Sequence, residues 1–255
     1  MSLTIALAGK GGVGKTTVAG LLIRYLKEED LTPVLAVDAD SNANLNEVLG
    51  LEEPPTLGDA REEMKSVSAQ NPSLTKDMFI EMRVNQALVE ERDFDLLVMG
   101  RPEGPGCYCA ANSLLTASLE KLLDNYPYIV VDNEAGLEHL SRVVSKKIDI
   151  LIVVSDPSRR SLETAGRVRE LARSLPIDLG REWLVVNQAL NGQLPAASQD
   201  KITSLGLKLL GIMPADQELA ELDAAGRPLA VELGPDNPVV KAAFQAFDQL
   251  GLGKG

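Results

Sequence analysis

Apolar and polar residues come in blocks along this chain. Short continuous aliphatic runs occupy residues 3–8, 33–37, 94–99, 128–131, 148–154, 183–186 and 209–213. Runs of four to seven such residues, rich in Val, Ile and Leu, predict strands covered on both faces. Longer stretches lie between them, with apolar residues spaced by three or four. These predict helices over 16–29, 46–49, about 60–66, 75–91, 110–124, 158–174 and 237–250. In the last, Val239, Val240, Ala243, Phe244, Phe247 and Leu250 share one side. Strand and helix patterns alternate throughout, and no linker is long enough to divide the chain. The pattern predicts one α/β domain over 1–255, with a mostly parallel, doubly wound sheet flanked by helices. Asp38, Asp132, Asn187 and Pro214 stand where strands are predicted to end. Ligands of such sheets bind outside those carboxyl ends.

The strand at 3–8 runs into Gly9-Lys10-Gly11-Gly12-Val13-Gly14-Lys15-Thr16-Thr17, and a helix follows. Gly9, Gly14, Lys15 and Thr16 complete G-x-x-x-x-G-K-[ST], the phosphate loop of P-loop NTPases. Glycines let the backbone curl so that its N–H groups converge on phosphate oxygens, and the helix dipole adds positive potential there. Lys15 is expected at the β- and γ-phosphates of ATP, and Thr16 on Mg²⁺ through its hydroxyl. Gly11, Gly12, Val13, Gly14 and Thr17 complete the expected cradle. Asp38 and Asp40 follow the second strand, where a carboxylate holds Mg²⁺ through water or orients an attacking water. Asp132 ends an apolar strand, the place of a second Mg²⁺-side carboxylate.

Composition narrows the partners. The chain has 255 residues, 45% hydrophobic but only 4% aromatic, so aliphatic side chains must fill the core. Lys+Arg number 25 against 37 Asp+Glu, a net charge of −12. Such a chain repels phosphate backbones and anionic lipid at long range, which argues against nucleic acid and membrane as partners. No apolar run approaches the roughly 20 residues of a membrane helix. The expected location is cytoplasmic.

Cys107 and Cys109 are the only cysteines. They follow the turn-rich segment Gly-Arg-Pro-Glu-Gly-Pro-Gly (100–106) and precede a predicted helix. A disulfide between such close positions would be strained, and a helix N-terminus favours thiolate. Two thiolates are half of a four-coordinate site. A twofold homodimer would supply four, suited to tetrahedral Zn²⁺ or square-planar Ni²⁺. His139, the single histidine, is expected at the surface or in packing.

Lys10 beside Gly9 resembles the signature lysine of the deviant-Walker-A ATPases. These include septum-site and plasmid-partition ATPases, nitrogenase iron proteins and metal-cluster maturation ATPases. The resemblance implies that Lys10 reaches a partner subunit's nucleotide, that Asp40 is catalytic and that Asp38 is the preceding acidic position. It further implies that Gly136, in Asp132-Asn133-Glu134-Ala135-Gly136-Leu137-Glu138, places its N–H near the γ-phosphate. Asn187 would read adenine, and Pro214 and Asp216 would form a second adenine-side loop. A narrower resemblance rests on Cys-Tyr-Cys-Ala-Ala-Asn-Ser-Leu-Leu (107–115) and Gly-Leu-Glu-His-Leu-Ser-Arg (136–142), together with the phosphate loop. These look like the CooC-type accessory ATPases, which help insert nickel into carbon monoxide dehydrogenase, with a close branch serving acetyl-CoA synthase. That resemblance implies an ATP-dependent homodimer holding Ni²⁺ or Zn²⁺ on Cys107 and Cys109, with one of those nickel enzymes as client. Nitrogenase-type iron proteins carry a cluster cysteine in the second switch, and none lies between Asp132 and Glu138. Membrane-positioning relatives use a basic amphipathic tail, whereas only Lys241 and Lys254 mark this one.

Overall fold

The computed structural model describes residues 2–40, 42–58, 75–100, 109–134 and 147–253, without the side chains at 76, 77 and 109–114. Strand β1 (Leu3–Gly9) feeds helix α1 (Lys15–Glu28), then come β2 (Val34–Ala39) and the short α2 (Leu45–Leu49). Helix α3 (Lys76–Ala87), β3 (Leu88–Glu90), β4 (Phe94–Val98), α4 (Cys109–Leu123) and β5 (Tyr128–Asn133) follow. The remainder is β6 (Lys147–Ser155), α5 (Arg159–Ser174), β7 (Asp178–Ala189), α6 (Ala196–Ser204), β8 (Leu209–Pro214), α7 (Gln217–Ala224), α8 (Leu229–Glu232) and α9 (Pro238–Asp248).

The strands form one sheet in the order β3-β4-β2-β5-β1-β6-β7-β8. All neighbours pair in parallel except β3 with β4. β1 is central: α1 carries the chain from it towards β2, and β6 lies on its other side. This divergence opens a crevice above the carboxyl ends of the strands.

One core cluster joins Ile5, Leu7, Val130 and Ile152 to α1, α2, α8 and α9; the other joins Ala6, Ala8, Val131 and Val153 to α3, α4, α5 and α6. Helix covers both faces, which is why the central strands are apolar on both sides. On α1, Val18, Leu21, Leu22, Tyr25 and Leu26 are buried at the spacing of one helical face. Gly20 sits where a Cβ would come within 2.3 Å of Val48 Cγ1, so glycine lets α2 lie close against α1. Gly50, at φ 77°, ends α2 in the left-handed conformation that glycine adopts without cost.

Two expectations are corrected, and three helices were not anticipated. The helix anticipated over 75–91 stops at Ala87, and Leu88–Glu90 becomes an antiparallel edge strand. Three residues are too few to show a strand period. The strand at 183–186 extends back to Asp178 and on to Ala189. Its first four residues are largely exposed at the sheet's rim, so their charges hid them. Helices α6, α7 and α8 had no counterpart, being short and only weakly amphipathic. The helix expected near 60–66 lies outside the described residues.

Candidate functional site

Parallel register sets the acidic groups. Asp38 pairs with Asp132, and Asp132 pairs with Leu7. Paired residues of parallel strands share a face, and alternation puts both carboxylates on the α1 side. They therefore lie beside the start of α1. Thr16 donates its hydroxyl hydrogen bond to Asp132. Asp38 is 0% exposed and Asp132 1%.

Burial decides the protonation of both. It pushes Asp38 up to about 6, against the backbone N–H groups of Leu45 and Asp40. It pushes Asp132 up to about 7, helped by repulsion from Asp38 and opposed by Thr16 and Lys15. Asp38 Oδ1 accepts from Asp40 N at 3.0 Å and its Oδ2 from Leu45 N at 2.9 Å. It thereby fixes the loop that presents Asp40, a structural role that its strand-end position did not announce. Asp40 Oδ1 accepts from Asn42 N at 2.9 Å, and Asp40 faces the crevice.

The crevice holds a cavity of about 760 Å³. Gly11, Gly12, Gly14, Lys15, Thr16 and Thr17 form one part of its wall, Asp40, Glu47 and Glu134 a second, and Asn187, Pro214 and Asp216 a third. α1 begins at Lys15 with no side chain capping it. Its free N–H groups and dipole face the cavity, an arrangement suited to anions. Gly14, at φ 84°, leaves no room for a Cβ, which would sit 2.4 Å from Asn187 Nδ2. At Gly9 a Cβ would lie 2.3 Å from Val154 O, so both glycines also serve close packing. Lys15 is buried in the wall at 7% exposure.

The expected residues divide in three ways. Gly11, Gly12, Gly14, Lys15, Thr16, Thr17, Asp40, Asn187, Pro214 and Asp216 share the cavity wall. Val13 turns its side chain into the core, leaving only its backbone to the loop, and Lys10 is exposed and is not one of the residues lining that wall. Cys107, Gly136 and His139 lie outside the described residues; Cys109 opens α4, and its side chain is not described. Asn187 and Asp216 also brace the protein. Asn187 Nδ2 donates to Val13 O at 3.0 Å, tying β7 to the phosphate loop. Asp216 caps α7, accepting from Leu219 N at 2.8 Å, and takes a second bond from Asn237 Nδ2 at 3.1 Å. Glu47, Gln188, Leu219, Asp223 and Arg227 are among the further lining residues that were not anticipated. Only the αL backbone of Gln188, at φ 57°, sets one of them apart locally.

The groups around Asp132 fit Mg²⁺. Among the described residues Asp132 Oδ1 is buried without a hydrogen-bond partner, and Thr16 Oγ1 and Asp38 supply further hard oxygens. No helix of the described residues is long and apolar enough to cross a membrane.

Comparison with known proteins places this geometry. A protein of Methanocaldococcus jannaschii designated an uncharacterized ATP-binding protein is 41% identical over 251 residues, spanning 97% of this chain and 98% of that one. The carbon monoxide dehydrogenase accessory protein CooC of Rhodospirillum rubrum is 31% identical over 238 residues, 88% of each chain. The septum site-determining protein MinD of Pyrococcus horikoshii, solved with Mg-ADP, superposes with a TM-score of 0.73. It has 23% identity, covering 100% of this chain and 98% of that one, and so attests the fold. The model of the CobQ/CobB/MinD/ParA nucleotide binding domain matches residues 4–229. With the phosphate loop, buried carboxylates and crevice where that match runs, the chain belongs to the CobQ/CobB/MinD/ParA nucleotide-binding family.

Proposed function

We propose that this chain is an ATP-hydrolysing switch that works as a homodimer and supports nickel insertion into carbon monoxide dehydrogenase or acetyl-CoA synthase. The observation that carries the reading is the juxtaposition of an uncapped α1 N-terminus, Lys15 and Thr16 with the strand-end pair Asp38 and Asp132. The 31% identity to the accessory protein CooC over 88% of both chains supports the narrower role, as does the presence of both cysteines in one C-x-C.

In this reading the α1 N–H groups and the Lys15 ammonium take the β- and γ-phosphates. They stabilise the charge that grows on the bridging oxygen as the terminal phosphoryl leaves. Asp40, held on the loop that Asp38 pins, accepts a hydrogen bond from the attacking water and aligns it. Thr16, Asp38 and Asp132 would hold Mg²⁺, which supplies Lewis-acid neutralisation of the phosphates when bound. Gly136 contributes its N–H to the γ-phosphate, and Lys10, exposed outside the cavity, completes the partner protomer's site. Cys107 and Cys109 of two protomers provide four thiolates for Ni²⁺ or Zn²⁺ as cargo. The state of the phosphate would set the dimer's geometry and so the grip on the metal.

A second reading is favoured by a different relative. The septum site-determining protein MinD of Synechocystis is 30% identical over 237 residues, spanning 90% of this chain. An ATPase of that kind would act on a surface rather than on a metal. One set of measurements separates the two: nickel stoichiometry for the wild type and for the Cys107→Ser/Cys109→Ser double variant, beside ATP-dependent pelleting with anionic vesicles. The nickel reading expects one Ni²⁺ per two chains, lost in the double variant, and no pelleting. Unchanged nickel binding in the double variant overturns it, and ATP-dependent pelleting establishes the second reading instead.

A further inference from the structure

Among the described residues two cationic side chains line the cavity, Lys15 and Arg227, against the acids Asp40, Glu47, Glu134, Asp216 and Asp223. Lys15 belongs to the phosphate loop. Arg227 belongs to the turn between α7 and α8, on the wall with Leu219 and Asp223. The backbone of that turn is fixed. Gly226, at φ 62°, donates to Asp223 O at 3.1 Å, Arg227 N donates to Leu222 O at 2.9 Å, and Pro228 follows. The side chain is held much more lightly. Its guanidinium is paired with Glu232 through Nε at 3.1 Å and through Nη2. The pair is open to water, with 58% of the Arg227 side chain and 28% of that of Glu232 exposed. An exposed pair contributes little net stability, so its exchange for a ligand contact costs little.

The triphosphate of a bound nucleotide is drawn to α1 and Lys15. Its nucleoside must then extend along the remaining wall, towards the Pro214–Asp216 loop and α7. A planar guanidinium on that wall is matched to the face of a purine, which it attracts through the ring's quadrupole and by stacking. Building on the nucleotide-binding reading, we propose that Arg227 is a nucleotide-binding residue that leaves Glu232 and covers the base. The α7–α8 turn is then the cover of the cavity's nucleoside end, and Glu232 is the rest position of that cover.

The test compares a non-hydrolysable ATP analogue with inorganic triphosphate, which lacks base and ribose. Dissociation constants are measured for the wild type, Arg227→Ala, Arg227→Lys and Glu232→Gln. The expected result for Arg227→Ala is roughly tenfold weaker binding of the analogue with triphosphate binding unmoved. Arg227→Lys should recover part of the loss, since it keeps the charge without the plane. Glu232→Gln should tighten the analogue about twofold by releasing the guanidinium. Equal weakening of both ligands would assign Arg227 a structural role and overturn the proposal, as would no change in either. If the wild type binds triphosphate but prefers the analogue by no margin, the base contact is absent and the proposal falls alone. If it binds neither, the nucleotide reading falls and takes the proposal with it.

Discussion

Two helix N-termini open into the same cavity, and they are finished in opposite ways. α1 begins in a glycine loop with no side-chain cap, beside a buried carboxylate whose Oδ1 has no partner among the described residues. α7 begins at Asp216, whose carboxylate caps Leu219 N and is itself tied to Asn237. Asn237 also holds Glu218 Oε2 at 3.0 Å and accepts from Val239 N at 2.8 Å. The first terminus is left electrostatically incomplete, and the second is closed by the protein's own groups. Incompleteness costs stability, because buried carboxylates and free N–H groups are both unfavourable without partners. A site that must take up charged ligands keeps that cost. On the proposed reading the α7 wall meets only a neutral nucleoside and has no reason to.

Replacing Lys15 with Ala should produce the largest effect. It removes the cation of the incomplete end, so ATP hydrolysis is expected to lose at least about a hundredfold in kcat/KM. Steady-state phosphate release measures it, and near-wild-type activity would show that the reacting end lies elsewhere.

Asp132→Asn should separate stability from binding. Asp132 and Asp38 have folded-state pKa values raised to about 7 and about 6. The folded chain therefore keeps protons that the unfolded chain has already released. The contribution of these two groups to stability without ligand is fully present below about pH 4, is lost as pH rises from there to about 7, and then levels off. In Asp132→Asn that loss should shrink, leaving the ligand-free variant roughly 1–3 kcal/mol more stable than wild type at pH 8. Its melting temperature should also stop responding to Mg²⁺ and ATP. Urea titrations across pH check the first part and thermal scans the second. A variant less stable than wild type at pH 8 would mean that Thr16 and Lys15 more than offset the burial.

Asp216→Ala should act at the closed end with the smallest effect and the opposite sign. Loss of the cap is expected to cost about 1–2 kcal/mol at pH 8. Chemical denaturation checks it. A gain in stability would erase the contrast between the two termini.

Much of this was legible in one dimension. The phosphate loop needs a fixed spacing of Gly9, Gly14, Lys15 and Thr16, and its strand and helix are each dense enough in apolar residues to be read locally. The central strands could be read for the same reason: covered on both faces, they had to be aliphatic throughout. Legibility failed where an element is short or lies at a rim. Leu88–Glu90 offers no period, and the exposed start of β7 carries charges like those of a loop. It failed again on the cavity wall beside α7. Asp223 and Arg227 carry no distinguishing pattern in sequence, and only the packing of α7 and the turn after it beside the crevice brings them to the cavity.

By itself, then, the sequence determined the chemistry on offer: a loop of N–H donors, a lysine and a threonine beside it, carboxylates at two strand ends and paired thiols. Those follow from residue type and local spacing, which a chain carries before it folds. The tertiary structure decided which of these groups meet, and in what state. Parallel register set Asp38 against Asp132 across two strands far apart in the chain, and burial raised the pKa of both. The same register left Asp132 Oδ1 beside Thr16 without a partner among the described residues, while Asp216 is tied to Asn237. Register and burial depend on the whole sheet, and no short stretch of sequence contains them.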